Sequence, residues 1–421
     1  MRRSCMPFNW LLCLGFGVAV LSGAAVAAQE PRQDTYWGHM LRAVKAHPAY
    51  AVYLSSKSAA PSLLSIEQAR RYPKVEGIFS RTDGASSLTT TPSAWQAGLA
   101  LSYPLYENYR QDARDQIAIA QGQQELAASA QNIESLIAGL ANAHVRIWEA
   151  SESIKILDTA GRHMKTLHQR VAEQVRTGEA SLLMQSKFIK MDLDIKAKLL
   201  DAKQRLELAS NTWAITGLPI TATELLPTVY EFSETVSAHA KLQRLEAEFA
   251  RVESEYALAE RDEGPSVNLQ VSILNRKYQS QSGWPSYHTW QVNATYPMFD
   301  GGLAKSRTRR EALSLAGKSA ELDSEKAQTA MEIVALRAGL ASMKDIVAAV
   351  EVQCQLQRQI ADSLLARFEL GRGALVEITE SFLSANDCSL TALQSRADYF
   401  TRYHELSRLD GTLARLILKE E

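Results

Sequence analysis

The sequence predicts a mainly α-helical protein with four added β-strands: two long helical hairpins, and strands that contribute to a transmembrane β-barrel shared between several chains. Three observations predict this fold class. The N-terminus has the pattern of an export signal, four short stretches alternate between apolar and polar residues, and long stretches repeat apolar residues at heptad spacing. The strands and the helices each occur twice, which indicates a duplication.

The predicted export signal occupies residues 1–28. Arg2 and Arg3 form its positive start, residues 10–21 its apolar stretch, and residues 26–28 its small-residue cleavage site. The alternative is a single membrane anchor, but the apolar run is short and ends in small residues. No later stretch approaches the ~20 apolar residues that a membrane helix needs, so we expect any later membrane span to be β.

The duplication rests on one spacing. The motif Tyr-Pro-Leu-Tyr-Glu contains Pro104, and the similar motif Tyr-Pro-Met-Phe-Asp contains Pro297. The interval from Pro104 to Gly178 equals the interval from Pro297 to Gly371. One residue inserted into a helix rotates all later side chains by about 100°, so this shared register favours a rigid, repeated unit. The predicted division is a first repeat at 29–216, a Pro-punctuated linker at 217–232 and a second repeat at 233–421.

The composition does not favour nucleic acid as a partner, and the sequence shows no motif of an enzyme. Lys and Arg number 46 and Asp and Glu 47, the formal net charge is −1, and the charges are spread along the chain. No basic patch favours nucleic acid. No residues have the spacing of a catalytic, cofactor-binding or metal-binding site, so we expect neither an enzyme nor a cofactor.

Each half contains a predicted β-hairpin, at residues 74–103 and 266–297. In the second hairpin Val267, Leu269 and Val271 alternate with serine and amide residues, which gives one apolar and one polar face. A soluble sandwich would show the same alternation. Strand lengths near ~9–11 residues and the export signal favour a membrane barrel instead. Two hairpins cannot close one, because a membrane barrel needs about eight strands or more, so the barrel must be shared between chains.

Aromatic residues cluster near the strand ends, as they do where a barrel meets the lipid interface. We assign four of them to that interface: Trp95, Tyr103, Trp290 and Tyr296. Five further residues mark the junctions where strands pass into helices: Pro104, Pro297, Asp300, Gly301 and Gly302. The Asp-Gly-Gly sequence lacks the lysine and serine of a phosphate-binding loop, so it favours a strand-to-helix turn.

The helical segments are too long for a globular domain. A helix over residues 109–176 would reach about 100 Å at ~1.5 Å per residue. Glycines near positions 178 and 371 suit the turns of two helical hairpins, because helices commonly end in a left-handed residue. The other predicted helices cover 35–71, with a break at His47-Pro48, and 182–216, 234–261 and 375–416.

Taken together these residues resemble a known family. The order of elements resembles that of the TolC family of outer membrane channels. Two motifs support the resemblance: Tyr-Pro-Met-Phe-Asp-Gly-Gly at 296–302, which is similar to the family's Pro-Leu-Phe-Asp-Gly-Gly, and Arg-Phe-Glu-Leu-Gly at 367–371. The resemblance implies a homotrimer in the outer membrane of a Gram-negative bacterium. It would have a 12-stranded barrel with four strands per chain, continued by a 12-helix α-helical barrel across the periplasm.

The resemblance also implies partners and site residues. The partners would be a periplasmic adaptor (membrane fusion protein), an inner-membrane ABC transporter or proton-driven efflux pump, and outer membrane lipid. Glu377 and Glu380 keep the spacing of the family's tip carboxylates and would form two acidic rings at the periplasmic entrance. An ordinary solvated helix face is the alternative. The adaptor would dock at the tip turns: Arg176, Gly178, Glu179, Leu370, Gly371, Arg372 and Leu375.

Cys354 and Cys388 form a candidate disulfide. They lie at equal intervals before and after Gly371, so a helix pair turning there would bring them to the same level, in an oxidising compartment. Because Cys388 falls beside the apolar seam and a bond needs Cα atoms within about 7 Å, the sequence leaves a bonded and a free pair open.

The predicted function is a passive outer membrane channel-tunnel that carries substrates from an inner-membrane pump and a periplasmic adaptor out of the cell. Type I protein secretion and small-molecule efflux both fit the sequence. The alternative is a periplasmic coiled-coil adaptor or scaffold protein of an export complex. An adaptor would need flanking lipoyl-like β segments and a single helical hairpin, whereas this sequence predicts two hairpins and four strands.

Overall fold

The computed structural model describes residues 36–82, 94–219, 239–278, 283–369, 374–413 and 415. The predicted signal, most of the predicted linker, and Leu370, Gly371 and Arg372 lie outside the described residues. The elements follow in the order α1 Tyr36–Ala46, α2 Pro48–Ala69, β1 Lys74–Thr82, β2 Ala94–Tyr106, α3 Arg110–Arg176, α4 Leu182–Ala214, α5 Ala240–Arg261, β3 Ser266–Tyr278, β4 Ser286–Thr295, α6 Leu303–Glu369 and α7 Leu375–Leu409.

Apart from α1, which occurs only in the first half, the two halves of the described chain have the same elements in the same order. The long helices α3 and α6 both have 67 residues, and their first residues, Arg110 and Leu303, are 193 positions apart. The returning helices α4 and α7 begin at Leu182 and Leu375, again 193 apart. Helices α2 and α5 both have 22 residues. The spacing read from the prolines and glycines therefore extends to the helices themselves.

Helix boundaries follow local chemistry. α2 begins after its N-cap His47, with Pro48 in the first turn, where its missing N–H costs nothing. α7 ends at Leu409, earlier than predicted, because Asp410 and Gly411 form a turn in which Gly411 has a φ of 71°. α4 ends at Ala214, two residues before the predicted end, and Gly217 follows it with a φ of 68°.

The strands form one antiparallel sheet in the order β1-β2-β3-β4, so β1 and β4 are its edges. β2 continues to Tyr106, three residues beyond the predicted end of the hairpin. The pairing with β3 shifts register between Pro104 and Tyr106. Such an irregularity accommodates a proline, which has no N–H to donate to the ladder. β4 ends at Thr295, before Pro297.

Three clusters of buried side chains hold the described helices together, the smallest of which joins α3 and α7. The central cluster joins α1, α2, α3, α4, α6 and α7 and includes Met40, Ile137, Trp213, Leu340 and Leu406. The tip cluster lies toward the hairpin turns and joins α3, α4 and α7 through residues such as Met164, Phe188 and Leu375. Within the described residues the tip cluster contains no side chain of α6.

A disulfide ties α6 to α7. Cys354 and Cys388 have Cα atoms 5.4 Å apart, and their sulfur atoms are bonded. Next to this bond the Arg358 guanidinium donates to Ser389 Oγ over 2.9 Å. The bond therefore fixes α6 to α7 in the part of α6 beyond Leu340, which contributes no described side chain to the central or the tip cluster.

Among the described helices, none combines the length and the apolar character required to cross a membrane.

Candidate functional site

The sheet separates apolar and polar residues between its faces. Paired residues of antiparallel strands point to the same side, so each row across the strands belongs to one face. One row consists of Val75, Leu101, Val271 and Trp290, and the neighbouring row of Lys74, Ser102, Gln270 and Gln291. The apolar face is open in the single chain: Val75 is 63% exposed and Trp290 77%. This face needs an apolar surrounding that the chain itself does not supply.

The predicted interface aromatics lie at different levels of the sheet. Trp95 is at the sheet end away from the helices, and Tyr103 is near the end that joins them, both on the apolar face of β2. Tyr296 follows β4 and is 64% exposed. Trp290 lies opposite Val271, inside the apolar band rather than at its edge. The sequence predicted the face of Trp290, but its level depends on the register between strands.

The strand-to-helix junctions differ between the two halves. In the second half Asp300 Oδ1 accepts the Gly302 N–H over 2.8 Å and Oδ2 accepts the Ala304 N–H over 2.6 Å. These bonds, that of Ala304 first, hold the pKa of Asp300 below its ordinary value. Gly301 and Gly302 have φ angles of 69° and 86°, which glycine adopts without strain. Asp300 therefore caps the start of α6.

In the first half Pro104 lies within β2, and the turn into α3 falls at Asn108 and Tyr109, whose φ angles are 50° and 57°. Asn108 Nδ2 donates to the Arg261 carbonyl over 2.9 Å, and Arg261 Nη1 donates to the Tyr109 carbonyl over 2.9 Å. These bonds support a left-handed backbone that non-glycine residues rarely adopt. They also anchor the first junction to the end of α5.

The first tip turn is closed by backbone bonds and leaves its charged side chains outside. Gly178 has a φ of 80°, and the Glu179 N–H donates to the Gln174 carbonyl over 2.8 Å. The Arg176 side chain is 76% exposed and pairs with Glu173 over 2.5 Å. Leu375, by contrast, is only 8% exposed within the tip cluster, so its side chain supports the tip from inside rather than facing a partner.

Glu377 and Glu380 lie in the first two turns of α7. Both side chains are exposed. Ile378 and Thr379 between them are buried, so the two carboxylates share the outward side of the helix. Within the described residues neither takes part in an ion pair. The N-terminal end of a helix favours negative charge in its first turn, which stabilises the carboxylate of Glu377.

The structural roles of three residues were not predicted from the sequence. His47 and His239, which fall at nearly equivalent positions in the two repeats, are both helix N-caps: Nδ1 of His47 accepts the Ala49 N–H over 3.1 Å, and Nδ1 of His239 accepts the Lys241 N–H over 3.0 Å. Their separation, close to that of the repeat, could have shown this pair. The third is Gly98, where an added Cβ would lie 2.0 Å from the Ile273 carbonyl oxygen; no signal in one strand's sequence shows such an approach.

A buried polar group lies beside the second cap. Glu134 of α3 accepts the Ala240 N–H over 3.3 Å, and burial raises the pKa of its carboxyl to about 7. Burial, with Arg408 and Lys241 nearby, lowers the pKa of His239 to about 4. Both groups are therefore held in their neutral forms across part of the ordinary pH range. Among the described residues no group of His, Cys, Asp and Glu has the arrangement of a metal site.

The structure resembles solved outer membrane channels over most of its length. It superposes on the open state of the MtrE outer membrane channel of Neisseria gonorrhoeae with a TM-score of 0.77 and 17% identity, over 92% of this chain and 90% of that chain. It matches the CmeC outer membrane channel of Campylobacter jejuni with a TM-score of 0.76 and 14% identity, over 89% and 85%. The outer membrane protein VceC of Vibrio cholerae gives 0.73 and 16%, over 89% and 96%.

No protein-family model and no curated protein matches the sequence. The likeness is therefore one of structure: a four-stranded antiparallel sheet continued by two hairpins of very long helices. The chain has the fold of TolC-like outer membrane channels, as the sequence predicts.

Proposed function

We propose that the protein is a passive export channel of the outer membrane of a Gram-negative bacterium and catalyses no reaction. The observation that carries this proposal is the sheet with an exposed apolar face, a polar face and two open edges, joined to helices of 67 residues. Open edges expose unpaired backbone groups, which cannot remain unpaired in lipid. The fold shared with outer membrane channels supports the same conclusion.

Three copies would satisfy the edges. Pairing β1 of one copy with β4 of the next gives twelve strands, which exceeds the minimum of about eight for a membrane barrel. The helices need the same neighbours, since apolar side chains of α4 and α6 are exposed in the single chain. They are Leu193, Leu200 and Leu208 on α4, and Val352, Leu356 and Ile360 on α6. A trimer would place the polar strand faces around the pore and bury these helix faces between copies.

The test of this proposal is assembly and conductance of the full chain. We expect detergent-extracted protein to migrate as a heat-modifiable trimer and to form channels in planar lipid bilayers. A monomer that stays in water without detergent and gives no conductance would refute it. That outcome would favour the coiled-coil adaptor or scaffold instead.

We also propose that Glu377 and Glu380 form acidic rings around the periplasmic entrance. Six carboxylates in a trimer would attract cations and repel anions at a narrow opening. Glu377→Lys with Glu380→Lys should reduce or reverse cation selectivity, measured as the reversal potential in a salt gradient. The matched control is Glu173→Lys, near the tip on α3. Equal selectivity of wild type and double variant would remove the ring assignment.

The tip turns are proposed to contact a periplasmic adaptor. Arg176 and Glu179 are exposed beside a turn that is closed by backbone bonds, so their side chains can be changed without opening it. Arg176→Ala with Glu179→Ala should lower cross-linking to the adaptor in cells while trimers still form. Full cross-linking and export by this variant would place docking elsewhere.

Through the adaptor the channel would receive substrate from an inner-membrane ABC transporter or a proton-driven pump. Type I secretion and small-molecule efflux both require such a duct. Deletion of the gene distinguishes them: loss of a secreted polypeptide from the medium identifies secretion, and dye retention identifies efflux.

A further inference from the structure

The two strands at the edges of the sheet are the counterparts of two strands that pair inside the chain. Within the chain β2, the second strand of the first repeat, pairs with β3, the first strand of the second repeat. The edge strands are β4, the second strand of the second repeat, and β1, the first strand of the first. We call the β2–β3 pairing, with the adjoining ends of α3 and α5, the internal seam. The same contact can form head to tail between β4 of one copy and β1 of the next.

The repeats match closely enough to transfer this pairing residue by residue. Lys74 of β1 stands opposite Ser102 of β2, and Ser266 of β3 stands opposite Thr295 of β4. From the first pair to the second, the first members are 192 positions apart and the second members 193. The helices agree, since α2 and α5 end 192 positions apart and α3 and α6 begin 193 apart. Each residue of the internal seam therefore has a definite counterpart at an edge.

The end of β4 matches the end of β2 but is uncovered. β2 reaches Tyr106, which stands opposite Val267 of β3, whereas β4 ends at Thr295. The counterparts of Tyr106 and Val267 are Phe299 and Val75. Phe299 is 91% exposed and Val75 63%, against 42% for Tyr106. The described part of a single chain thus supplies no strand beside the end of β4.

The sizes of two side chains are exchanged between the internal seam and the edges. In the seam the Asn108 side chain lies against Gly264, where an added Cβ would coincide with it. The counterpart of Asn108 is Gly301, and both have a left-handed backbone, with φ angles of 50° and 69°. The counterpart of Gly264 is Tyr72, which is 69% exposed. No described atom lies within 4 Å of a Cβ added at Gly301, so there is room there for a side chain from outside.

We infer that β4 of one copy pairs with β1 of the next in the register of the internal seam, and that Tyr72 of the second copy packs over Gly301 of the first. This contact rests on the proposed function, which joins three copies and sets the apolar face against lipid, and it adds the register and the residues. β4 should then lengthen to Phe299, as β2 extends to Tyr106. An uncovered aromatic ring and an open glycine surface would be buried together.

The transferred register keeps the faces of the sheet continuous from one copy to the next. In the seam Ala100 stands opposite Ser272, so Asn293 should stand opposite Ser80 of the next copy. Asn293 and Ser80 both belong to the polar face. A shift by one residue would set Asn293 opposite Phe79 of the apolar face. The alternation along β1 and β4, which the transfer does not use, therefore agrees with it.

Cysteine pairs in the full chain, oxidised in outer membranes, measure the register. A disulfide needs Cα atoms within about 7 Å, and directly opposed residues of antiparallel strands are ~4.5–5.5 Å apart. Asn293→Cys with Ser80→Cys should give covalent dimers and trimers after boiling without reductant. The matched controls combine Asn293→Cys with Ile78→Cys or with Thr82→Cys, two residues to either side on the same face, and should stay largely monomeric. The native disulfide lies within one chain and links no copies.

The packing of Tyr72 over Gly301 is tested by placing the seam's own residue pair at the edges. Gly301→Asn introduces the residue found at Asn108, which tolerates a left-handed backbone, but its side chain takes the space of Tyr72. This variant should lower the temperature at which trimers dissociate, and so should Tyr72→Gly, which leaves the space empty. Combined, the two changes reproduce the pair of Asn108 and Gly264, so the double variant should lose less than the sum of the two single losses.

The outcomes separate this contact from the proposed function. If the wild type forms trimers and conducts in planar bilayers, but a control pair cross-links more than Asn293 with Ser80, the register is refuted and the channel stands. Purely additive losses in the double variant would refute the packing of Tyr72 over Gly301 in the same way. If the wild type forms no trimer and no channel, both the contact and the proposed function are refuted. Heat-modifiable migration before oxidation shows that each cysteine variant has assembled.

Discussion

The disulfide between Cys354 and Cys388 should hold the tip-proximal half of α6 against α7. Beyond Leu340 no described α6 residue belongs to either the central or the tip cluster. In this stretch Val352, Leu356, Ile360 and Leu365 are 47–56% exposed in the single chain. The bond is therefore the strongest link that the chain itself provides between this half of α6 and the rest.

The size of the effect follows from the loop that the bond closes. The two cysteines have a sequence separation of 34, and closing such a loop lowers the entropy of the open chain by an amount worth about 3.8 kcal/mol at 25 °C. The nearby bond from Arg358 to Ser389 and the ion pair of Arg396 with Glu351 are partly exposed, so each contributes about 1 kcal/mol or less. Loss of the disulfide should thus ease local opening of α6 by up to ~4 kcal/mol.

Hydrogen exchange on the assembled protein measures this opening. Cys354→Ala with Cys388→Ala, or reduction of the wild type, should speed exchange in residues 355–367 and leave 157–171 of α3, inside the tip cluster, unchanged. Reduction is the cleaner change because it alters no residue. Identical exchange of residues 355–367 in the oxidised and reduced protein would refute the reasoning and assign their stability to neighbouring copies.

Two further predictions concern single residues. Gly98→Ala would place a Cβ 2.0 Å from the Ile273 carbonyl oxygen, so it should abolish or strongly reduce heat-modifiable trimers; Gly77→Ala, with nothing within 4 Å, should assemble normally, and equal assembly of both would contradict the close approach. The pKa of His239 is lowered to about 4 in the folded chain, whereas in the unfolded chain the imidazole is protonated below its ordinary pKa of ~6.5. Between these two values only the unfolded chain binds the proton, so the free energy of unfolding should fall by up to ~3 kcal/mol as pH falls from 6.5 to 4. His239→Asn keeps a side-chain acceptor for the helix cap and should reduce the change of the denaturation midpoint with pH over this range. The same pH dependence in the variant and the wild type would contradict the lowered pKa of His239.

The helices were predictable because their signal is periodic and repeated. The heptad spacing predicted one helix over 109–176, and α3 is Arg110–Arg176. The break at His47-Pro48 was predicted from the proline, but the cap that His47 provides was not. A cap depends on the direction of one ring nitrogen, which the sequence pattern does not contain.

The sequence predicted on which face of the sheet each residue lies, but not its height along the sheet. Alternation assigns every strand residue to one side, and the register confirms the apolar set. It does not give the offset between strands, which places Trp290 beside Val271 instead of at the band edge. The extension of β2 to Tyr106 depends on a bulge with β3, a partner strand in the other half of the chain.

The alternation of side chains along a strand lets neighbouring residues of β3 face different surroundings. At the outer end of β3, Arg276 bonds Gln96 on the polar face, while Lys277 stands opposite Trp95 on the apolar face. A shift of the β2–β3 pairing by one residue would exchange these faces along the whole strand. Gly98 opposes such a shift, because only a residue without a side chain fits against the Ile273 carbonyl at this place. The close approach at Gly98 therefore fixes which cations face the proposed pore and which face the proposed lipid.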